Sequence, residues 1–151
     1  MSIKRVLLSI ICIIFTIIIA GCEKSDKNYD KITNFTYNYG SYNGGYYKYN
    51  IKKKKKKNIF TAKGYNGVNL NINKEIDEYY LEQLSKIIKE TDIESWNGFK
   101  KKDNKILDGY SFNLKVEYKN GKTINASGYM KYPKNYKNTH KKIVKFLKSI
   151  K

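Results

Sequence analysis

Few side chains in this sequence bring chemistry of their own. The chain has a single histidine, His140, placed among lysines where a terminal helix is expected to begin. One imidazole without cysteines makes no zinc site, and its surroundings read as a solvated surface rather than the centre of a nucleophilic triad. Paired carboxylates are the other economical route to catalysis. Glu75, Glu78 and Glu82 approach one another on an expected helix, where they read as its solvated face, and Asp108 before Gly109 is a turn residue. No phosphate-cradling glycine loop or calcium loop pattern is present. The expectation is therefore a protein that is not an enzyme, with no catalytic residue, no metal site and no cofactor. Trp96 has two readings. It offers a large amphipathic surface that suits recognition of a ligand or partner, or with Phe99 it closes the end of the core, which is the preferred reading. Six consecutive lysines, Lys52–Lys57, repel one another and cannot be buried, which makes them the candidate contact for an anionic partner.

The cysteines are Cys12 and Cys22. Lys4 and Arg5 precede an apolar run from Val6 to Ala20 that contains Cys12, and Ile19-Ala20-Gly21-Cys22 closes it. The run is shorter than the ~20 residues of a spanning helix and is flanked as a secretory signal would be; an uncleaved membrane anchor is the competing reading. The closing tetrapeptide resembles the lipobox of bacterial lipoproteins. That resemblance implies cleavage between Gly21 and Cys22, a lipid of the palmitate type on Cys22, and attachment to the exported side of the cell membrane. The expected organisation is a signal peptide over 1–21, a lipidated cysteine and flexible spacer over 22–33, and one domain over 34–151. With no further cysteine, that domain holds no internal disulfide.

The formal net charge is +18 from 31 basic and 13 acidic residues. Loss of Lys4 and Arg5 with the signal leaves 29 against 13, or +16. Such a field attracts anionic surfaces and polymers. Only Arg5 among the basic residues is arginine, although arginine's planar fork is the side chain best suited to gripping phosphate. Abundant Lys, Asn, Ile and Tyr also follow from AT-rich codons, so selection and codon drift both account for the charge. Lysines interleaved with tyrosines suit single-stranded nucleic acid, but export makes phospholipid headgroups and cell-wall polyanions the expected partners, with nucleic acid disfavoured.

The elements that position these residues follow from periodicity. Phe35, Tyr37 and Tyr39 alternate with polar residues, as do Tyr47, Tyr49 and Ile51, around a turn at Asn43-Gly44. A two-residue loop would put the two apolar rows on opposite faces. A three-residue loop, Tyr42–Gly44 with Gly44 left-handed, pairs Tyr39 with Tyr47 and Tyr37 with Tyr49 on one face, so the longer loop is expected. Tyr42, Tyr46, Tyr65 and Tyr79 then point outward. The lysine run forms the protruding tip of a second hairpin, leading into short strands over Ile59–Lys63 and Val68–Ile72. Asn73 caps a helix over Lys74–Glu90, with Ile76, Tyr80, Leu84, Ile87 and Ile88 along one stripe. A long connection over Thr91–Leu107 carries Trp96. The same register argument at Asn120-Gly121 pairs Val116 with Ile124, Leu114 with Ala126 and Phe112 with Gly128. Beyond Pro133, Asn138 or Thr139 caps a final helix whose stripe is Ile143, Phe146, Leu147 and Ile150.

Trp96-Asn97-Gly98-Phe99, Leu107-Asp108-Gly109-Tyr110-Ser111-Phe112, Asn120-Gly121-Lys122, Ala126-Ser127-Gly128 and Tyr132-Pro133 together resemble small uncharacterised exported domains of Gram-positive bacteria, over about a quarter of the chain. No activity comes with that resemblance. The expected fold is α+β, a mainly antiparallel sheet of about six strands with one long and one C-terminal helix packed on it. The expected role is a membrane-anchored binding or accessory module at the cell surface, with a basic face for anionic envelope components. An envelope hydrolase with a carboxylate site, or a structural subunit of an envelope complex, are the alternatives.

Overall fold

The computed structural model describes residues 31–150. The expected signal, its cleavage site at Gly21 and Cys22, and most of the spacer lie outside the described residues. Seven strands form one sheet: β1 (Ile32–Ser41), β2 (Gly45–Lys54), β3 (Lys57–Tyr65), β4 (Asn71–Ile76), β5 (Lys100–Lys102), β6 (Ser111–Tyr118) and β7 (Thr123–Tyr129). Their spatial order is β4-β3-β2-β1-β6-β7-β5. Every neighbouring pair is antiparallel except β5 with β7. Helices α1 (Glu78–Glu90) and α2 (Tyr136–Ser149) cover one face.

Period-two alternation decides which face is covered. Phe35, Tyr37 and Tyr39 of β1, Tyr49 and Ile51 of β2, Phe60 and Ala62 of β3 and the even residues of β6 are buried. They meet Leu81, Leu84 and Ile88 of α1 and Ile143 and Leu147 of α2 in a single core. Full burial of each large apolar side chain contributes roughly 1.5–3 kcal/mol. The opposite face of the sheet carries Asn, Thr, Ser, Lys and a few Tyr residues.

Both hairpin registers follow the same-face argument. Tyr39 pairs with Tyr47 and Tyr37 with Tyr49; Phe112 pairs with Gly128, Leu114 with Ala126 and Val116 with Ile124. A side chain at Gly128 would meet the Lys131 carbonyl and come within 2.6 Å of the Phe112 ring, so the bare backbone there makes room for that ring. One detail of the first turn differs from expectation. The left-handed residue is Gly45, with φ +84°, rather than Gly44, because Ser41 pairs with Gly45 and the bend is absorbed where the second strand begins.

Three other expectations are corrected. The strand expected over Val68–Ile72 is β4, Asn71–Ile76, and the helix begins at Glu78 rather than Lys74. Ile72, Lys74 and Ile76 alternate toward the covered face while β4 satisfies its backbone bonds against Asn58–Lys63. Ile76 therefore belongs to a strand period, and the N-cap is Asp77, not Asn73. The terminal helix starts at Tyr136 behind a left-handed Asn135, and Thr139 is buried within it instead of capping it. The long connection contains a short 3-10 turn, Ile93–Trp96, and the edge strand β5. Three consecutive lysines leave no apolar alternation to betray β5; its pairing rests on the backbone of β7, and charged edges of this kind resist edge-to-edge association.

Candidate functional site

The lysine run is a hairpin tip, as its charge requires. Lys52–Lys54 end β2, Lys57 opens β3, and Lys55, with φ +50°, turns the chain. All are exposed except Lys53, which is half-buried. Two of the six are paired: Lys53 with Glu78 at 3.2 Å and Lys57 with Glu75 at 2.7 Å. Among the described residues Lys52, Lys54, Lys55 and Lys56 have no ion-pair partner.

Topology places this tip beside the entry of the chain. Asn34 of β1 pairs with Lys52, so two residues earlier in β1 lies level with Lys54. On the other side Ile32 pairs with Tyr118, and the Lys119 N–H donates to the Lys31 carbonyl at 2.8 Å. Lys31, the lysine hairpin and the β6–β7 turn with Lys119 and Lys122 therefore share one end of the sheet. β1 is 10 residues long, so the other end lies roughly 33 Å away.

A hollow of about 290 Å³ near this end is lined by Lys31, Glu78, Leu81, Glu82 and Lys86 among others. Glu78 is the carboxylate with most partners in it. The Asn58 amide donates to it at 3.0 Å, and this bond, with Lys53, holds the carboxyl below its usual range. An ionised, paired carboxylate accepts hydrogen bonds; a general acid needs the opposite shift. Glu75 lies on β4 beside Lys57, so the three glutamates do not share the helix face assigned to them from the sequence.

Trp96 is 1% exposed, so the recognition role offered for it is replaced by the core-closing one. Its indole N–H donates to the Lys134 carbonyl at 3.1 Å, and its ring lies 6.0 Å from that of Phe112 and 5.7 Å from that of Tyr136. The outward tyrosines divide: Tyr42, Tyr65 and Tyr79 are exposed, and Tyr46 is half-buried beside Tyr65.

His140 is the larger correction, since it is not a solvated surface group. Its Nδ1 lies 2.7 Å from the Tyr37 hydroxyl, its ring stands edge-on to Tyr39 at 4.7 Å and stacks on Tyr136 at 5.4 Å. Burial is the main cause of a pKa below the ordinary imidazole value, and Lys148 adds to it. Burial likewise raises the phenols around it, Tyr136 to about 12. The lysines that flank this histidine in sequence suggest a solvated ring, whereas two of the three rings named here, Tyr37 and Tyr39, come from β1, a hundred residues earlier. Tyr37 is wholly buried and His140 half-buried, so the imidazole is the member of this pair that solvent reaches.

No protein-family model and no curated protein matches this chain. Among the described residues no helix is long and apolar enough to cross a membrane, and no cluster of three His, Cys, Asp or Glu residues forms a metal site.

Proposed function

We propose that this chain is an exported lipoprotein, tethered through Cys22 to the cell membrane, whose domain is a non-catalytic binding or accessory module with a basic end held toward anionic envelope components. The observation that carries the proposal is the shared position of the chain entry and the lysine hairpin. Between Cys22 and Lys31 the chain reaches at most about 30 Å whatever its conformation. The lysine end is thus the part of the domain that the tether keeps closest to the bilayer. Charges on the far end fall outside the ~8 Å Debye length that limits such attraction at physiological salt.

Two expected results test this reading. Cells making the full chain incorporate labelled fatty acid into it, whereas the Cys22→Ala variant incorporates none and keeps its apolar leader; label in the variant would remove the lipoprotein assignment. Lysine acylation of the lipid-anchored chain, read by mass spectrometry, tests the basic end separately. Lys54, Lys55 and Lys56 should be protected in vesicles containing phosphatidylglycerol and not in phosphatidylcholine alone. That protection should vanish in roughly 1 M salt, where the Debye length is about 3 Å. Equal labelling in both lipids would free the hairpin of any membrane role.

A further inference from the structure

The uncovered face of the sheet holds a second basic feature, distinct from the hairpin. An open groove of about 500 Å³ runs over the outer face from Tyr46 on β2 to the lysines of β5. Four inter-strand spacings separate those two strands, or about 19 Å. Register assigns the directions: Lys100 pairs with Ser127 and Lys102 with Tyr129, both on the outer face, and Ser127 pairs with Asn113.

Two properties of this groove point to one ligand chemistry. Lys100 and Lys102 are exposed and have no ion-pair partner among the described residues. The Asn113 amide and Ser127 hydroxyl between them and Tyr46 likewise make no side-chain hydrogen bond among those residues. Cations at one edge and free amide and hydroxyl groups along the floor match a polymer that alternates phosphates with hydroxyl-bearing units. Phe112 lines the groove too, but its ring is buried in the core, which leaves Tyr46 and Tyr129; Tyr129 already carries Lys102 over its face at 5.8 Å, and its hydroxyl accepts the Gly109 N–H. That leaves little of the stacking platform on which single-stranded nucleic acid depends.

We propose that this groove binds an anionic polyol-phosphate polymer, with Lys100 and Lys102 against phosphates and Asn113 and Ser127 against hydroxyls. The inference rests on the exported, envelope-binding reading for its choice of polymer and deepens it by naming the ligand. The test uses the full chain in phosphatidylcholine vesicles, with poly(glycerol phosphate) as the probe. The Lys100→Gln/Lys102→Gln variant should bind more weakly and lower the slope of log K against log salt by about 1.4, the value for two phosphate contacts on a flexible strand. Asn113→Asp, which adds a negative charge to the floor, should weaken binding as well. Lys54→Gln/Lys55→Gln/Lys56→Gln should change affinity by no more than about twofold, because that tip lies beyond a Debye length from the groove. Unchanged affinity and slope in the groove variant, or a larger loss in the hairpin variant, would overturn the proposal. Tighter binding of single-stranded DNA of equal charge would overturn the polymer class. The fatty-acid label on Cys22 is independent of each of these results, so failure of the groove and failure of the lipoprotein reading are separately visible.

Discussion

Trp96→Ala is expected to destabilise the domain by about 3–5 kcal/mol, the range for truncating a large buried aromatic ring. The substitution removes a side chain that is 1% exposed and leaves a void between Phe112 and Tyr136. It also takes away the indole donor that reaches the Lys134 carbonyl at 3.1 Å, in the segment that leads from β7 into α2. Domains of this size hold only about 5–15 kcal/mol in total, so the variant should lie near the edge of folding at room temperature. Trp96→Phe keeps most of the ring volume and loses the hydrogen bond, and should cost markedly less. Urea denaturation followed by circular dichroism separates the two. The native chain also has only this tryptophan, so its fluorescence should shift to the red on unfolding as the indole leaves the core. A Trp96→Ala chain as stable as the parent would return Trp96 to the role of surface anchor.

Short-range alternation carries most of this fold. In both hairpins a slip of one residue would turn every apolar side chain to the wrong face, and that makes Tyr39 opposite Tyr47 and Val116 opposite Ile124 legible from residue types alone. The failures have a common cause. Ile76 fits both a helical stripe and the end of a strand, and only its pairing with Asn58 decides between them. Lys100–Lys102 have no apolar residue to mark a strand, and β5 exists because the exposed edge of β7 offers it a backbone partner. The candidate sites split the same way. Like-charge repulsion places Lys52–Lys57 at a tip without reference to the rest of the chain. Its position next to the chain entry, and the groove from β5 to Tyr46, depend on strand order, which periodicity does not contain. His140 depends on β1 and α2 meeting across the core.

That meeting has a consequence for acid stability. His140 is held below the ordinary imidazole value of 6.5, first by burial and then by the charge of Lys148. The groups packed against it are Tyr37, Tyr39 and Tyr136, all phenols whose pKa is raised by burial and which are neutral in this range. With its folded pKa depressed, the imidazole binds protons more readily when the chain is unfolded. Stability is therefore complete above pH 6.5 and falls as pH drops from there toward the folded value. The carboxylates Glu78, Asp103 and Glu117 are also held below their ordinary values of 4.5, 3.8 and 4.5. Their contributions are present above those values and are lost only on further acidification, so between pH 6.5 and about 5 the histidine acts alone. Urea midpoints at pH 7.5 and pH 5 should differ for the parent chain and converge for His140→Gln. Tyr37→Phe tests the partner: it leaves the Nδ1 of His140 facing an apolar edge and should cost about 1–3 kcal/mol at pH 7.5, as for other buried polar groups left unpaired. Nuclear magnetic resonance titration of the single imidazole gives the deciding number. A His140 that titrates at or above 6.5 in the folded chain would mean that the ring is solvated, and the acid-sensitive window would then have to arise elsewhere.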